Sequence, residues 1–153
     1  MPLWVVYHPP GTFEDEASKQ ALSKDITKGY TDAGLPAFFV VVNFVKLPVS
    51  DVWVGGEQRK SKPFIRLTVD HIAARLPDED EAYFKTTASI DAVLKPHIED
   101  KNYDWEYHID ETERRLWKIN GLAPPPLDSE EGKLWAKENK PSPWKGDQSM
   151  SNI

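Results

Sequence analysis

One pattern occurs twice along this chain and restricts the folds open to it. Residues 3–7 (LWVVY) form a short β-rich run closed by Pro9-Pro10-Gly11, and residues 63–69 (PFIRLTV) form another. A proline opens each run, Pro2 in the first and Pro63 in the second, 61 positions apart. A helical pattern follows each. In the first, Thr12 can cap the N-terminus, with Asp15 three residues on and acidic side chains crowding the first turn. Ala17, Ala21, Leu22, Ile26, Tyr30 and Ala33 then make one stripe at mostly three- and four-residue spacings, and Gly34 and Pro36 end it. In the second, Ala82, Tyr83, Ile90, Val93, Leu94 and Ile98 make the stripe. The acidic cluster at 78–81 (DEDE) reads as the start of that helix. Each helix leads into another strand. Residues 36–49 (PAFFVVVNFVKLPV) are almost continuously apolar and are expected to form a fully buried strand. Residues 102–109 (NYDWEYHI) are expected to form the fourth, with Trp105, Tyr107 and Ile109 on one side and Glu106 and His108 on the other.

Two βαβ units, about 2–46 and 63–109, follow from this. Each requires a right-handed crossover between parallel strands. The expected fold is α/β, an α+β sandwich of four strands with two helices on one face. The bare face needs a cover, so an oligomer is expected. Between the units, Gly55-Gly56 marks a turn or close backbone approach. An extension over 110–138 ends in a short helix candidate from 129, and 139–153 is expected to be a mobile tail. A single domain over 1–138 accounts for the length.

Composition removes several function classes. The net charge is −6 and no basic cluster exceeds a pair such as Arg59-Lys60, so neither nucleic acid nor an anionic membrane is an expected partner. With no cysteine, disulfides and thiolate chemistry are excluded. His8, His71, His97 and His108 lack metal-ligand spacing, and no GxGxxG, Walker or GxSxG motif occurs, so neither metal nor cofactor is expected. No apolar run approaches membrane length, which suits a cytoplasmic protein. The six tryptophans are scattered, as core and interface residues would be.

Pro2 itself has two readings. A proline is tolerated at the first position of a strand. Loss of Met1 would instead expose its nitrogen as a secondary amine. An α-amine has an ordinary pKa near about 8, and burial or a neighbouring cation lowers it toward neutrality, where a general base works well.

The Pro2 start, the double βαβ pattern, VNF at 42–44 and VWVGG at 52–56 together resemble the tautomerase superfamily, on the branch of cis-3-chloroacrylic acid dehalogenase and its fungal members. The resemblance runs from about residue 2 to 126. It implies a homotrimer whose N-terminal proline acts as acid, base or nucleophile on a small-molecule carboxylate held by cationic side chains. Pro2 matches the catalytic proline. Tyr30 stands where the dehalogenase has a histidine. Of two arginines after the third strand, the second matches Arg75, and the first falls on Asp70 or His71. Tyr107 matches a tyrosine of the last strand. A water-activating glutamate would fall between Trp117 and Asn120, where WKIN has none.

Each candidate keeps a plainer role beside the functional one. Arg75 holds a carboxylate or is a solvated arginine. His71 is a substrate contact, a proton donor or a satisfied loop histidine. Tyr107 polarises a carbonyl or packs, and Tyr30 reaches the pocket or belongs to the core. Trp117 and Asn120 lie in the segment that closes over the site in the family. Asn120 orients water or substrate, or else Asn120-Gly121 is a turn. The leading expectation is keto–enol tautomerisation of a phenylpyruvate-like 2-oxo acid. Hydration or dehalogenation of a 3-haloacrylate is the second, disfavoured by the missing glutamate. A non-catalytic tautomerase-like scaffold is the third.

Overall fold

The computed structural model describes residues 1–73 and 75–147. Its elements are β1 (Leu3–His8), α1 (Glu16–Asp32), β2 (Val41–Lys46), β3 (Trp53–Val54), β4 (Glu57–Gln58), β5 (Phe64–His71), α2 (Asp80–Leu94), β6 (Asp104–Glu111) and α3 (Glu130–Glu138). The main sheet has the order β2-β1-β5-β6. β1–β2 and β5–β6 are parallel and β1–β5 antiparallel, so the two βαβ units join edge to edge. The repeat extends to single hydrogen bonds. Val41 N–H donates to the Pro2 carbonyl at 3.0 Å, and Asp104 N–H donates to the Pro63 carbonyl at 2.9 Å.

Strand alternation sorts the side chains. Trp4 and Val6 of β1 and Ile65, Leu67 and Val69 of β5 point to one face. There they meet Leu22 and Ile26 of α1 and Ile90 and Leu94 of α2 in one buried core. Both helices therefore cover the same face, as the two-unit pattern requires. Gly55 and Gly56, with φ of +63° and +83°, form the turn of the β3–β4 hairpin.

Several boundaries differ from the sequence reading. The cap of α1 is Asp15, not Thr12: the Ser18 N–H donates to Asp15 Oδ1 at 2.6 Å. Thr12 is buried instead and donates to the Pro9 carbonyl at 2.7 Å, closing the turn after β1. The apolar run at 36–49 is not one buried strand. Ala37–Phe39 is a 3₁₀ turn, and β2 is a half-buried edge strand. Phe39 is anchored in a different core, which pulls the start of the run off the sheet. The last strand begins at Asp104 rather than 102 and reaches Glu111, because its pairing with β5 continues through His71.

That second core is built by the extension. Phe39, Ala73, Trp117 and Trp135 are buried together, with Met1 and Trp144 packed against them. α3 begins at its Ser129 cap, which accepts from the Gly132 N–H at 3.0 Å. The expected tail packs over 139–147. The Trp144 Nε1–H donates to the Ala123 carbonyl at 2.7 Å, and the Trp135 Nε1–H to the Ser142 carbonyl at 3.0 Å. Indole rings with a polar partner make this segment part of the core. Residues 148–153, the rest of that expected tail, lie outside the described residues. Among the described residues no helix is long and apolar enough to cross a membrane.

Candidate active site

Pro2 lines a cavity of about 350 Å³ between the C-terminal half of α1, the middle and C-terminal part of α2, the start of β1 and the end of β5. Register explains which side chains reach it. Leu3 pairs with Asp70, so one further antiparallel step sets His71 beside Pro2. β5 reaches that position because it has 8 residues against 6 in β1. By alternation His71 shares the helix-facing side with Trp4, and Tyr30 comes down onto that side from α1.

These residues form a hydrogen-bonded chain. The Trp4 Nε1–H donates to Tyr30 Oη at 3.1 Å, and Tyr30 Oη lies 2.7 Å from His71 Nε2. An indole can only donate, so Tyr30 Oη accepts from Trp4 and shares a second hydrogen bond with His71 Nε2, whose direction the histidine tautomer sets. Burial holds the chain neutral. It pushes the Tyr30 phenol up to about 12 and the His71 imidazole below its ordinary value, with Glu111 opposing the latter shift. The amino terminus is subject to the same effect. Burial and then the Arg114 guanidinium pull the Met1 amine down to about 4. Arg114 is fixed by the Pro125 carbonyl at 2.5 Å and the Pro124 carbonyl at 3.1 Å.

The other candidates stand apart from this cavity. Arg75 is exposed, its Nε 3.8 Å from Glu111 Oε2. Tyr107 faces α2, where its hydroxyl donates to Asp91 Oδ1 at 2.9 Å and its ring stacks on Trp105. Burial and Asp91 together push its phenol pKa strongly up. Trp117 is buried in the second core, edge-on to Phe39 at 4.8 Å between ring centroids. Asn120, at φ +51°, is exposed at a two-residue turn bridged by Ile119 and Leu122. Sequence reasoning missed Glu111 and Arg114. Glu111 accepts from the Leu76 N–H at 2.6 Å and is the register partner of His71. Extending the fourth strand by one more alternation would have found it. Among the described residues no cluster of side chains suited to a metal ion occurs.

Comparison with known proteins agrees with this architecture. RhCC from Rhodococcus jostii RHA1 is 40% identical, over 93% of this chain and 99% of that chain, with a TM-score of 0.86. A probable enzyme from the thermophilic fungus Aspergillus fumigatus is 43% identical, over 94% of this chain and 98% of that chain, with a TM-score of 0.84. A fused 4-OT, a symmetric trimer, shares the fold at 21% identity, over 79% of this chain and 94% of that chain, with a TM-score of 0.60. No curated protein matches the chain. The family model Tautomerase_3, described as "Putative oxalocrotonate tautomerase enzyme", matches residues 1–140. With that match spanning both βαβ units and most of the extension, the chain belongs to this family of the tautomerase superfamily.

Proposed function

We propose that the protein is a proline-dependent tautomerase that moves a proton between carbon and oxygen of a small 2-oxo acid of the phenylpyruvate type. The observation that carries this reading is the shared cavity of Pro2, Tyr30 and His71. Keto–enol exchange needs a base at carbon and a donor at the carbonyl oxygen. With Met1 removed, the Pro2 amine takes the proton from the carbon next to the keto group. Electron density moves onto the carbonyl oxygen. The Tyr30–His71 pair supplies a proton there, and ketonisation runs the same steps in reverse. Low local polarity supports both roles: a buried amine stays neutral, and a buried phenol keeps its hydrogen. Arg75, Tyr107, Trp117 and Asn120 act outside this step in the proposal, through structure rather than chemistry. A homotrimer covering the bare sheet face fits the fused 4-OT trimers that share the fold.

The test is the intact mass of the untagged protein before and after incubation with a 3-halopropiolate. Loss of Met1 and one adduct per chain, mapped to Pro2, is the expected result. Retained Met1, or a free Pro2 that stays unlabelled, overturns the reading. In parallel, Pro2→Ala is expected to abolish phenylpyruvate tautomerisation while the protein stays folded.

A further inference from the structure

The interior of α1 carries a glycine at position 29, one turn before the helix ends at Asp32. Glycine inside a helix costs about 1 kcal/mol relative to alanine. Packing does not demand it. A Cβ built on Gly29 meets no atom within 4 Å, and its backbone is helical. The space beside it is the cavity that Pro2 lines. Small residues line the same cavity on both sides, Ala33 just after α1 and Ser89 on α2, together with the apolar Trp4, Ile26 and Val93. Charge is equally uneven. Among the described lining residues Lys85 is the one lysine or arginine, and it has no ion-pair partner among the described residues. Arg75, the cation implied by resemblance for this task, leans on Glu111 outside the cavity.

We propose that the α1–α2 groove selects an acid carrying a bulky apolar group, with Gly29 setting the width of the groove and Lys85 holding the carboxylate. This rests on the tautomerase reading of the same site and adds its selectivity. The apolar group lies against Ile26 and Val93 where a side chain at position 29 would otherwise stand. The carboxylate meets a primary ammonium at the mouth, a point charge that a flexible stem can bring to it.

Calorimetric titration with acids that cannot react separates this from the chemistry at Pro2. The probes are 3-phenylpropanoate, its neutral amide and acetate. Wild type is expected to bind phenylpropanoate roughly tenfold or more tighter than acetate. Gly29→Leu is expected to erase that preference while acetate binding persists. Lys85→Met is expected to weaken the phenyl acid and leave the amide unchanged. The amide resonance of Gly29 in wild-type protein is expected to shift with phenylpropanoate and not with acetate, a readout that does not depend on a variant folding. Equal affinity for the two acids, wild-type binding by Gly29→Leu, a Lys85→Met effect equal on acid and amide, or an unmoved Gly29 resonance each overturns the proposal. Intact binding with an unlabelled Pro2 would overturn the tautomerase reading alone.

Discussion

Tyr30 Oη and His71 Nε2 lie 2.7 Å apart across 41 residues of sequence, and the Trp4 indole fixes the phenol from its other side. Tyr30→Phe removes the middle of this chain and leaves two nitrogen groups without their partner. Stability is expected to fall by about 1–3 kcal/mol, the usual cost of stranding a buried polar group. Turnover of phenylpyruvate is expected to fall by roughly 10²–10⁴, the range for loss of a positioned proton donor. Urea melts and steady-state rates read the two effects separately. An unchanged rate with reduced stability would leave the pair a purely structural one.

Arg114 is the charged neighbour of the Met1 amine, one residue ahead of the Pro2 amine that the proposed mechanism uses. Removing its positive charge stabilises the protonated amine relative to the free base, so the amine pKa rises. The acid limb of the pH–rate profile is expected to lie below the ordinary α-amine value of about 8. In Arg114→Gln that limb should move to higher pH. Burial is the larger cause of the lowered value, so the variant should retain part of the depression. A limb that stays in place would show that the Arg114 charge does not tune the catalytic amine.

Stability itself should depend on pH through the buried His8 and the half-buried His71. Burial is the main cause lowering both His8 and His71. Below the ordinary value of about 6.5 the unfolded chain takes up protons that the folded chain refuses. Stability is therefore present above that value and lost as pH falls toward the lower folded values. Urea midpoints are expected to drop between about pH 7.5 and about pH 5.5, and His71→Gln should flatten part of the slope. A midpoint that does not change over this window would contradict the assignment.

Tyr107 provides a contrast with Tyr30. Its hydroxyl is bonded to Asp91 on α2, away from the cavity. Tyr107→Phe is expected to cost about 1 kcal/mol of stability, the net worth of one hydrogen bond, and to leave turnover unchanged. A large loss of rate in well-folded Tyr107→Phe would restore the catalytic role that resemblance implies.

The extension packs against residues that flank the site, Met1, Ile72 and Ala73. Trp135 is 1% exposed and packs edge-on to Phe39 with 6.3 Å between ring centroids. Trp135→Ala is expected to cost about 3–5 kcal/mol. Because Met1 and Ile72 pack against the same cluster, the amine environment should loosen with it. Hydrogen exchange at Ile72 and Ala73 would report that loosening directly.

Sequence alone determined the architecture. The three- and four-residue stripes that include Leu22 and Ile26 in one helix and Ile90 and Leu94 in the other, and the β-rich runs opened by Pro2 and Pro63, are local signals that survive without tertiary context. They correctly put two βαβ units in one sheet with both helices on one face. Pro2 was legible as a candidate from its place in the sequence, whereas Tyr30, which the helical stripe put in the core, and His71 became candidates through the resemblance. Which candidates meet was decided only by the tertiary structure. β5 runs past the start of β1, and that overhang sets His71 beside Pro2 and Glu111 beside His71. Strand ends depend on a partner many residues away, and no local pattern encodes where pairing stops. The same holds for Arg75 and Tyr107, whose side chains turn to Glu111 and Asp91. It holds for residues 139–147 too, polar in composition yet fixed by two indole hydrogen bonds and the core beneath them. Periodicity shows which face of an element is apolar. The long-range register and the packing of the extension determine which side chains surround the amino terminus.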